Sequence, residues 1–270
     1  MGTIGIIHNL PRVGGTIISK SISAQKDIAL LSEIHPQGIK VRDMMKVDTN
    51  LGDPLYQAQN WYNLFKIDDY NELVKSQLNF LDKIKIINEK IKKQNKFLIL
   101  RDWSFIDYLG KPFIEPTNKN ILLELLRKDF EIKNIFLLRD PLETFLSCMK
   151  KLPFFSKNYS FDKFLDGYNS FLKDINNENV IHFENFAERP DEILNQISII
   201  FNFKFNKDYK QKLKTTHITG DVAASQATEI YQSKKIASEL LDIEQKKKIS
   251  QNNKYNEILA KLNEFWLNNK

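Results

Sequence analysis

The sequence PRVGGT, residues 11–16, combines residue types that can bind a phosphate group. It follows a short apolar run and precedes a segment of helical character. Glycines in such a turn let backbone N–H groups point inward, and the N-terminus of the following helix adds partial positive charge. Arg12 would add a full positive charge, and Thr16 a hydroxyl donor. We therefore predict a phosphate-binding turn. The alternative is a strand-to-helix turn that uses glycine for its conformation alone.

A second arginine is followed by a serine in the sequence RDPLETFLS. Pro141 suits the first turn of a helix, so Arg139 is expected at the end of a strand, with Asp140 as a helix cap. Ser147 follows Arg139 by eight residues and would lie about two turns into that helix. A guanidinium group and a hydroxyl group at one point could share a second phosphate through charge-assisted hydrogen bonds.

Both sets of residues require strands that end beside a common ligand. Apolar runs without alternation and without interior proline are found at residues 3–10, 28–32, 96–103, 134–140 and 179–186. This pattern is typical of strands buried on both faces of a parallel sheet. Longer segments of helical character lie between them. We predict an α/β fold, with a doubly wound, mostly parallel sheet flanked by helices and with ligands at the carboxyl ends of the strands.

The segments between the strands give more specific helix predictions. Residues 71–94 have a helical period of apolar side chains, Asn118 is a plausible N-cap, and Pro190 with two acidic residues begins another helix. Residues 233–270 are expected to form C-terminal helices packed on the same body. With no linker, repeat or low-complexity block in the sequence, we predict one domain over residues 1–270.

The two phosphate motifs, in this order and at this distance, resemble those of the cytosolic-type and bacterial sulfotransferases, which use 3′-phosphoadenosine 5′-phosphosulfate (PAPS). PRVGGT is similar to their 5′-phosphosulfate loop, and the arginine followed by a serine is similar to their 3′-phosphate motif. The sequence LLSEIHP, residues 30–36, resembles their second strand, where bacterial members commonly have a glutamate. TGDVAASQ, residues 219–226, resembles the glycine-aspartate loop that closes over the cofactor. The resemblance implies a P-loop-like sulfotransferase architecture.

The resemblance also implies a role for each matching residue. Those that would hold the 5′-phosphosulfate are Arg12, Val13, Gly14, Gly15 and Thr16. Arg139 and Ser147 would hold the 3′-phosphate, and the product would be adenosine 3′,5′-bisphosphate (PAP). The sequence departs from the family at Val13, where a serine is usual, and before Gly220, where the basic residues of many members are missing. Lys212 or Lys214 could substitute for them.

Sulfuryl transfer needs stabilisation of the leaving oxygen and a base for the acceptor's proton. Arg12 and the loop amides would stabilise the leaving oxygen. Three candidate bases follow predicted strands, namely Glu33, His35 and Asp102. The strand-end position and the family resemblance favour Glu33, and His35 is the second candidate because an imidazole titrates near neutral pH. Each of the three could instead be an ordinary structural residue.

The acceptor is expected to be a small molecule, a sugar or a lipid-type compound with a hydroxyl or amine group. Residues 37–66, together with residues 103–113, combine aromatic, methionine and glycine residues and are predicted to line the acceptor pocket. Four histidines and one cysteine show no metal-ligand spacing, so we predict a reaction without a metal.

Composition limits the other classes. The formal net charge of +6 is spread along the chain, which indicates a lysine-rich surface and no nucleic-acid partner. The single cysteine and the absence of a long apolar run predict a cytoplasmic protein with no membrane span. The oligomeric state is open.

Two other functions remain open from the sequence. A small-molecule or nucleotide kinase would need a degenerate phosphate loop, since no lysine follows Gly15. A catalytically inactive cofactor-binding module would retain the fold without transfer.

Overall fold

The described part of the chain, residues 2–175, 179–230 and 239–268 of a computed structural model, contains a five-stranded sheet in which every pairing is parallel. The strand order is β2-β3-β1-β4-β5. The strands are β1 (Gly2–Asn9), β2 (Ile28–Ile34), β3 (Phe97–Asp102), β4 (Phe130–Leu138) and β5 (Asn179–His182). The predicted α/β class with a doubly wound parallel sheet is confirmed.

Helices connect the strands, and their bounds follow the chain. They are α1 (Gly15–Ser23), α2 (Gly38–Met44), α3 (Pro54–Tyr62), α4 (Ile67–Lys75), α5 (Phe80–Lys93), α6 (Phe105–Leu109), α7 (Ile121–Leu126), α8 (Pro141–Lys151), α9 (Phe155–Asn158), α10 (Phe161–Lys173), α11 (Phe183–Glu188), α12 (Pro190–Phe201), α13 (Tyr209–Lys212), α14 (Val222–Gln226), α15 (Ile243–Ser250) and α16 (Asn253–Asn268). Short 3₁₀ turns occupy Asn50–Gly52 and Leu213–Thr215.

Apolar side chains cover both faces of the sheet. Along β2, Leu30 packs into one hydrophobic cluster and Leu31 into another, because successive side chains of a strand point to opposite faces. Along β3, Ile99 and Leu100 divide in the same way. Burial on both faces explains why the strands are apolar at consecutive positions.

The sheet order creates a crevice at the carboxyl end of β1. From β1 the chain continues to β2 on one side, and from β3 it returns to β4 on the other side of β1. Ligands of open α/β sheets bind at such a switch in strand order. The turn after β1 and the turn after β4 therefore lie next to each other.

Several predicted boundaries differ from the structure. The fifth strand ends at His182, because Phe183 begins the helix α11, whereas the sequence predicted a strand to residue 186. The predicted helix over residues 71–94 is two helices, since Gln77 has a left-handed φ of 49° and Asn79 caps α5 through the Asp82 amide. Asn120, and not Asn118, caps α7, because its side chain accepts from the Leu123 amide.

The C-terminal helices α15 and α16 fall within the predicted segment, and residues 233–238 and 269–270 of that segment lie outside the described residues. Helix α16 lies against α10 and α8. Tyr255 Oη donates to Asp140 Oδ2 at 3.2 Å, and Lys254 Nζ forms an ion pair with Asp166 Oδ1. In the described ranges, every helix is too short or too polar to cross a bilayer.

Candidate active site

The turn between β1 and α1 has the backbone of an anion-binding loop. Gly14 precedes α1 with φ 84°, and no side chain caps this helix end. The first amides of an α-helix have no intrahelical acceptor, and no acidic residue lies in the first turn of α1. A side chain at Gly14 would be excluded, since its Cβ would lie 2.0 Å from the Phe183 ring. The loop therefore leaves its amides and partial positive charge available to an anion.

Arg12 joins this loop to the second predicted motif. Its Nε atom donates to Ser147 Oγ at 3.0 Å, across 135 positions of sequence. Its Nη1 atom forms a close ion pair with Asp221 Oδ2. Arg12 itself has a left-handed φ of 68°, a conformation that non-glycine residues seldom adopt and that is frequent at functional sites.

Arg139 lies on the other side of the same loop. Its Nη1 atom donates to the Arg12 carbonyl oxygen at 3.1 Å, and its guanidinium group lies 5.1 Å from the centre of the Phe183 ring. Arg139 is only 7% exposed, yet its Nε atom makes no hydrogen bond to the described residues. The carboxylates of Glu143 and Glu184 are each 3.8 Å from the guanidinium group. A buried donor without an acceptor at a cavity wall indicates a place for an anionic ligand.

Burial changes the proton affinity of this cluster. It lowers the pKa of Arg139 below its ordinary value, an effect that nearby Glu184 and Glu143 oppose. It raises the pKa of Glu184, an effect that Arg139 opposes. The cluster thus combines a desolvated cation with carboxylates that compensate its charge only in part.

Glu33 enters the cavity because the sheet is irregular at this residue. The β2–β3 register shifts between Ser32 and Ile34, and Glu33 has a left-handed φ of 56°. Its Oε2 atom accepts a hydrogen bond from Arg42 Nη2 at 2.7 Å, and its Oε1 atom lies 3.3 Å from Arg101 Nη2. Two guanidinium groups therefore fix the orientation of the predicted base.

Arg101 is a site residue that the sequence interpretation missed. It is 2% exposed, and burial lowers its pKa. Besides its contact with Glu33, it donates to Thr16 Oγ1 at 3.1 Å and to the Thr219 carbonyl oxygen at 2.9 Å. The signal was available, because Arg101 lies near the end of β3 as Arg139 follows β4, but the sequence offered Asp102 as its partner.

The structure does not bring the other two candidate bases to the cavity. His35 is buried, with Nδ1 accepting from the Gln37 amide and Nε2 located 3.3 Å from Asp107 Oδ2. Asp102 is buried too, and its Oδ2 atom contacts His8 Nδ1 at 3.1 Å. Neither is among the described residues that line the cavity. The backbone turns after Ile34, where β2 ends, and the imidazole of His35 packs into the interior.

Val13 and Ser147 have indirect positions. The Val13 side chain is 1% exposed and packs into the hydrophobic core, so only its backbone is available to a ligand. Ser147 is buried on α8 and is connected to the loop by its hydrogen bond to Arg12. The structure thus unites the predicted binding residues around Arg12.

The segment of residues 217–226, which we call the late segment, covers the loop. Thr219 Oγ1 donates to Ser32 Oγ at 2.8 Å, and the Asp221 amide donates to Thr16 Oγ1 at 3.2 Å. Gly220 has φ 112°, and a Cβ there would lie 2.5 Å from Thr16 Oγ1. The late segment therefore needs glycine to approach the loop. Lys212 and Lys214 are exposed and are not among the lining residues.

These elements enclose a cavity of about 1090 Å³. The volume exceeds that of an average small-molecule site and is large enough for a nucleotide together with a second compound. The lining residues from the predicted acceptor segments are Arg42, Met45, Val47, Leu51, Trp61, Trp103 and Phe105. Arg42 lies 4.9 Å from the Trp103 ring centre, so the aromatic wall begins beside Glu33. Among the described residues, no cluster of histidine, cysteine or carboxylate side chains could hold a metal ion.

Comparison with solved structures gives two matches over nearly the whole chain. The sulfotransferase domain of the olefin synthase of Synechococcus PCC 7002 has a TM-score of 0.64 and 15% identity over 90% of this chain and 89% of that domain. The sulfotransferase domain from the curacin biosynthetic pathway has a TM-score of 0.64 and 18% identity over 97% of this chain and 98% of that domain. The chain has the sulfotransferase fold. This confirms the fold that the two sequence motifs implied. No protein-family profile and no curated protein matches the sequence.

Proposed function

We propose that this chain transfers a sulfuryl group from PAPS to a hydroxyl or amine group of a small acceptor. The observation that supports this most strongly is the meeting of two distant motifs at one cavity. Arg139 donates to the Arg12 carbonyl, and Arg12 donates to Ser147. An anion bound at the α1 N-terminus and another at Arg139 would match the two phosphate positions of PAPS.

The residues present fit this cofactor in charge and in shape. The α1 amides, Thr16 and Arg12 would bind the 5′-phosphosulfate, and the unpartnered Nε of Arg139 would donate to the 3′-phosphate. Phe183, which lines the cavity between Gly14 and Arg139, offers a flat apolar surface to the nucleoside. When bound, PAPS would supply the sulfuryl group and a stable leaving phosphate.

In this proposal, the protein supplies orientation, charge and a proton acceptor. Arg12 and the loop amides stabilise negative charge on the oxygen that leaves. Glu33, oriented by Arg42 and Arg101, accepts the proton of the acceptor hydroxyl. The S–O bond to the phosphate breaks as the new S–O bond forms, and the proton moves to Glu33.

Glu33→Gln separates this chemistry from cofactor binding. The variant keeps a side chain of the same shape but cannot take the proton, so transfer should fall at least about a hundredfold. The affinity for PAP, measured by calorimetry, should change less than about threefold, since Glu33 does not contact the two phosphate positions in this proposal. The assay incubates the protein with PAPS and a panel of alcohols, phenols, amines and sugars, and mass spectrometry detects a product heavier by one SO₃ group. Exposed Glu229→Gln is the matched control.

Equal transfer by Glu33→Gln and the native protein would exclude Glu33 as the base. PAP binding without transfer to any acceptor would favour a binding module. Phosphate transfer from ATP in the presence of Mg²⁺ would indicate a kinase.

A further inference from the structure

The Asp221 carboxylate occupies the edge of Arg12 that faces the cavity. Its Oδ2 atom forms the close ion pair with Arg12 Nη1, and its Oδ1 atom accepts from the Ala224 amide at 2.8 Å. The Asp221 amide donates to Thr16 Oγ1 at 3.2 Å. Asp221 therefore contacts both side chains that distinguish the phosphate loop from an ordinary glycine turn.

The backbone around Asp221 is fixed on both sides. Before it, the Thr219 carbonyl accepts from Arg101 at 2.9 Å. After it, the buried Lys20 donates its ammonium protons to the carbonyl oxygens of Ser225 at 2.5 Å and Ala227 at 2.7 Å. A side-chain rotation of Asp221 would free Arg12 without movement of these anchors.

A carboxylate and a phosphosulfate cannot both accept from the same edge of Arg12 without close repulsion between like charges. The side chains of Arg12 and Asp221 are 20% and 23% exposed, so solvent screens this repulsion only in part. An anion that binds Arg12 must therefore displace Asp221 or bind more weakly beside it.

We propose that Asp221 is an internal competitor of the donor for Arg12, which weakens the binding of PAPS and PAP and favours release of the product. This inference rests on the proposed function. It differs from closure of a loop over the cofactor, because the competing group is one carboxylate and the anchored backbone stays in place.

Asp221→Asn tests the proposal. Asparagine retains the oxygen that caps α14 through the Ala224 amide, and it removes only the charge that faces Arg12. Glu229→Gln is the matched control, because it removes an exposed charge from a nearby residue that is not among those lining the cavity. Each protein is titrated by calorimetry, without metal, with PAP and separately with inorganic pyrophosphate.

Asp221→Asn should bind both PAP and pyrophosphate about tenfold more tightly than the native protein, while Glu229→Gln should match the native protein. Equal or weaker binding of pyrophosphate by Asp221→Asn would overturn the proposal, as would the absence of pyrophosphate binding to either protein. Tighter pyrophosphate binding without PAP binding to either protein would support the competitor role and contradict the proposed function. Thermal unfolding of each variant establishes that the fold is retained.

Discussion

Arg139 has the clearest contacts of the proposed cofactor residues. It is buried at the cavity wall, holds the Arg12 carbonyl and retains an Nε donor without a hydrogen bond to the described residues. Two carboxylates near it, Glu143 and Glu184, keep the cation compatible with burial. A phosphate at this point would gain charge-assisted hydrogen bonds that a neutral ligand would not.

Arg139→Ala should therefore weaken PAP binding by about 1.5–3 kcal/mol, which is roughly tenfold to hundredfold in the dissociation constant. The affinity for adenosine 5′-monophosphate should change little, because that nucleotide has no 3′-phosphate. Calorimetry measures both. Arg189→Ala, which removes a half-exposed arginine paired with Glu192, is the control.

An equal loss of affinity for the two nucleotides would show that Arg139 only supports the fold of the loop. No loss for either would remove it from the site.

At the level of single residues, the sequence predicted those that belong to contiguous motifs and missed those that the fold brings in. Arg12 and Arg139 are recognisable from their neighbours along the chain. Arg101 and Phe183 reach the cavity only through strand pairing and the turn after β5. His35 was a plausible base from its position, but the direction of its ring depends on the end of β2.

Among the elements, the β1–α1 turn depends most on backbone conformation. Gly14 combines a left-handed φ with a Cβ position inside the Phe183 ring. Gly14→Ala should reduce the free energy of unfolding by about 2–4 kcal/mol, which adds the cost of a left-handed L-residue to that of overpacking. Urea unfolding monitored by circular dichroism measures this change.

The two costs can be separated in a Phe183→Ala background. There the same substitution should cost only about 1–2 kcal/mol, since the steric overlap is gone and the backbone cost remains. The same cost in both backgrounds would contradict the close contact between Gly14 and Phe183.

The last helix is connected to the sheet by a neutral histidine. Trp266 Nε1 on α16 donates to His182 Nδ1 at 2.6 Å at the end of β5. Burial lowers the pKa of His182 from 6.5 to about 4. Between these values the unfolded chain binds a proton that the folded protein does not, so this contribution to stability is present above pH 6.5 and is lost as the pH falls towards 4.

Between pH 7 and pH 5, the His182 contribution should fall by about 2 kcal/mol. His182→Asn keeps an acceptor for Trp266 but cannot titrate in this range, so its unfolding free energy should depend less on pH by that amount. Urea unfolding of both proteins at the two pH values provides the comparison. Parallel pH dependences would show that His182 does not carry this effect.

Local patterns predicted the type of each strand but not all boundaries. Five apolar runs became five strands, because burial on both faces leaves a strong local signal. The helix break at residues 76–79 depends on the left-handed Gln77 and the cap at Asn79, which the apolar period does not reveal. The end of β5 depends on the helix that starts at Phe183.

For the whole molecule, strand order is the feature that creates the site. The order β2-β3-β1-β4-β5 places β1 between β3 and β4, so the strand ends and turns that carry Arg12, Arg101 and Arg139 converge at one edge of the sheet. Pairing between strands that are distant along the chain could not be deduced from local patterns. The resemblance of two short motifs to sulfotransferases supplied that long-range information.

The proposed cofactor site is tested most directly by a calorimetric titration of the native protein with PAP and, separately, with adenosine 5′-monophosphate and ATP, all without metal. We predict micromolar or tighter binding of PAP and binding at least about tenfold weaker for adenosine 5′-monophosphate, because only PAP has a phosphate that can reach Arg139. Equal affinity for the three nucleotides, or no binding of PAP, would contradict the proposal that this cavity binds the sulfotransferase cofactor.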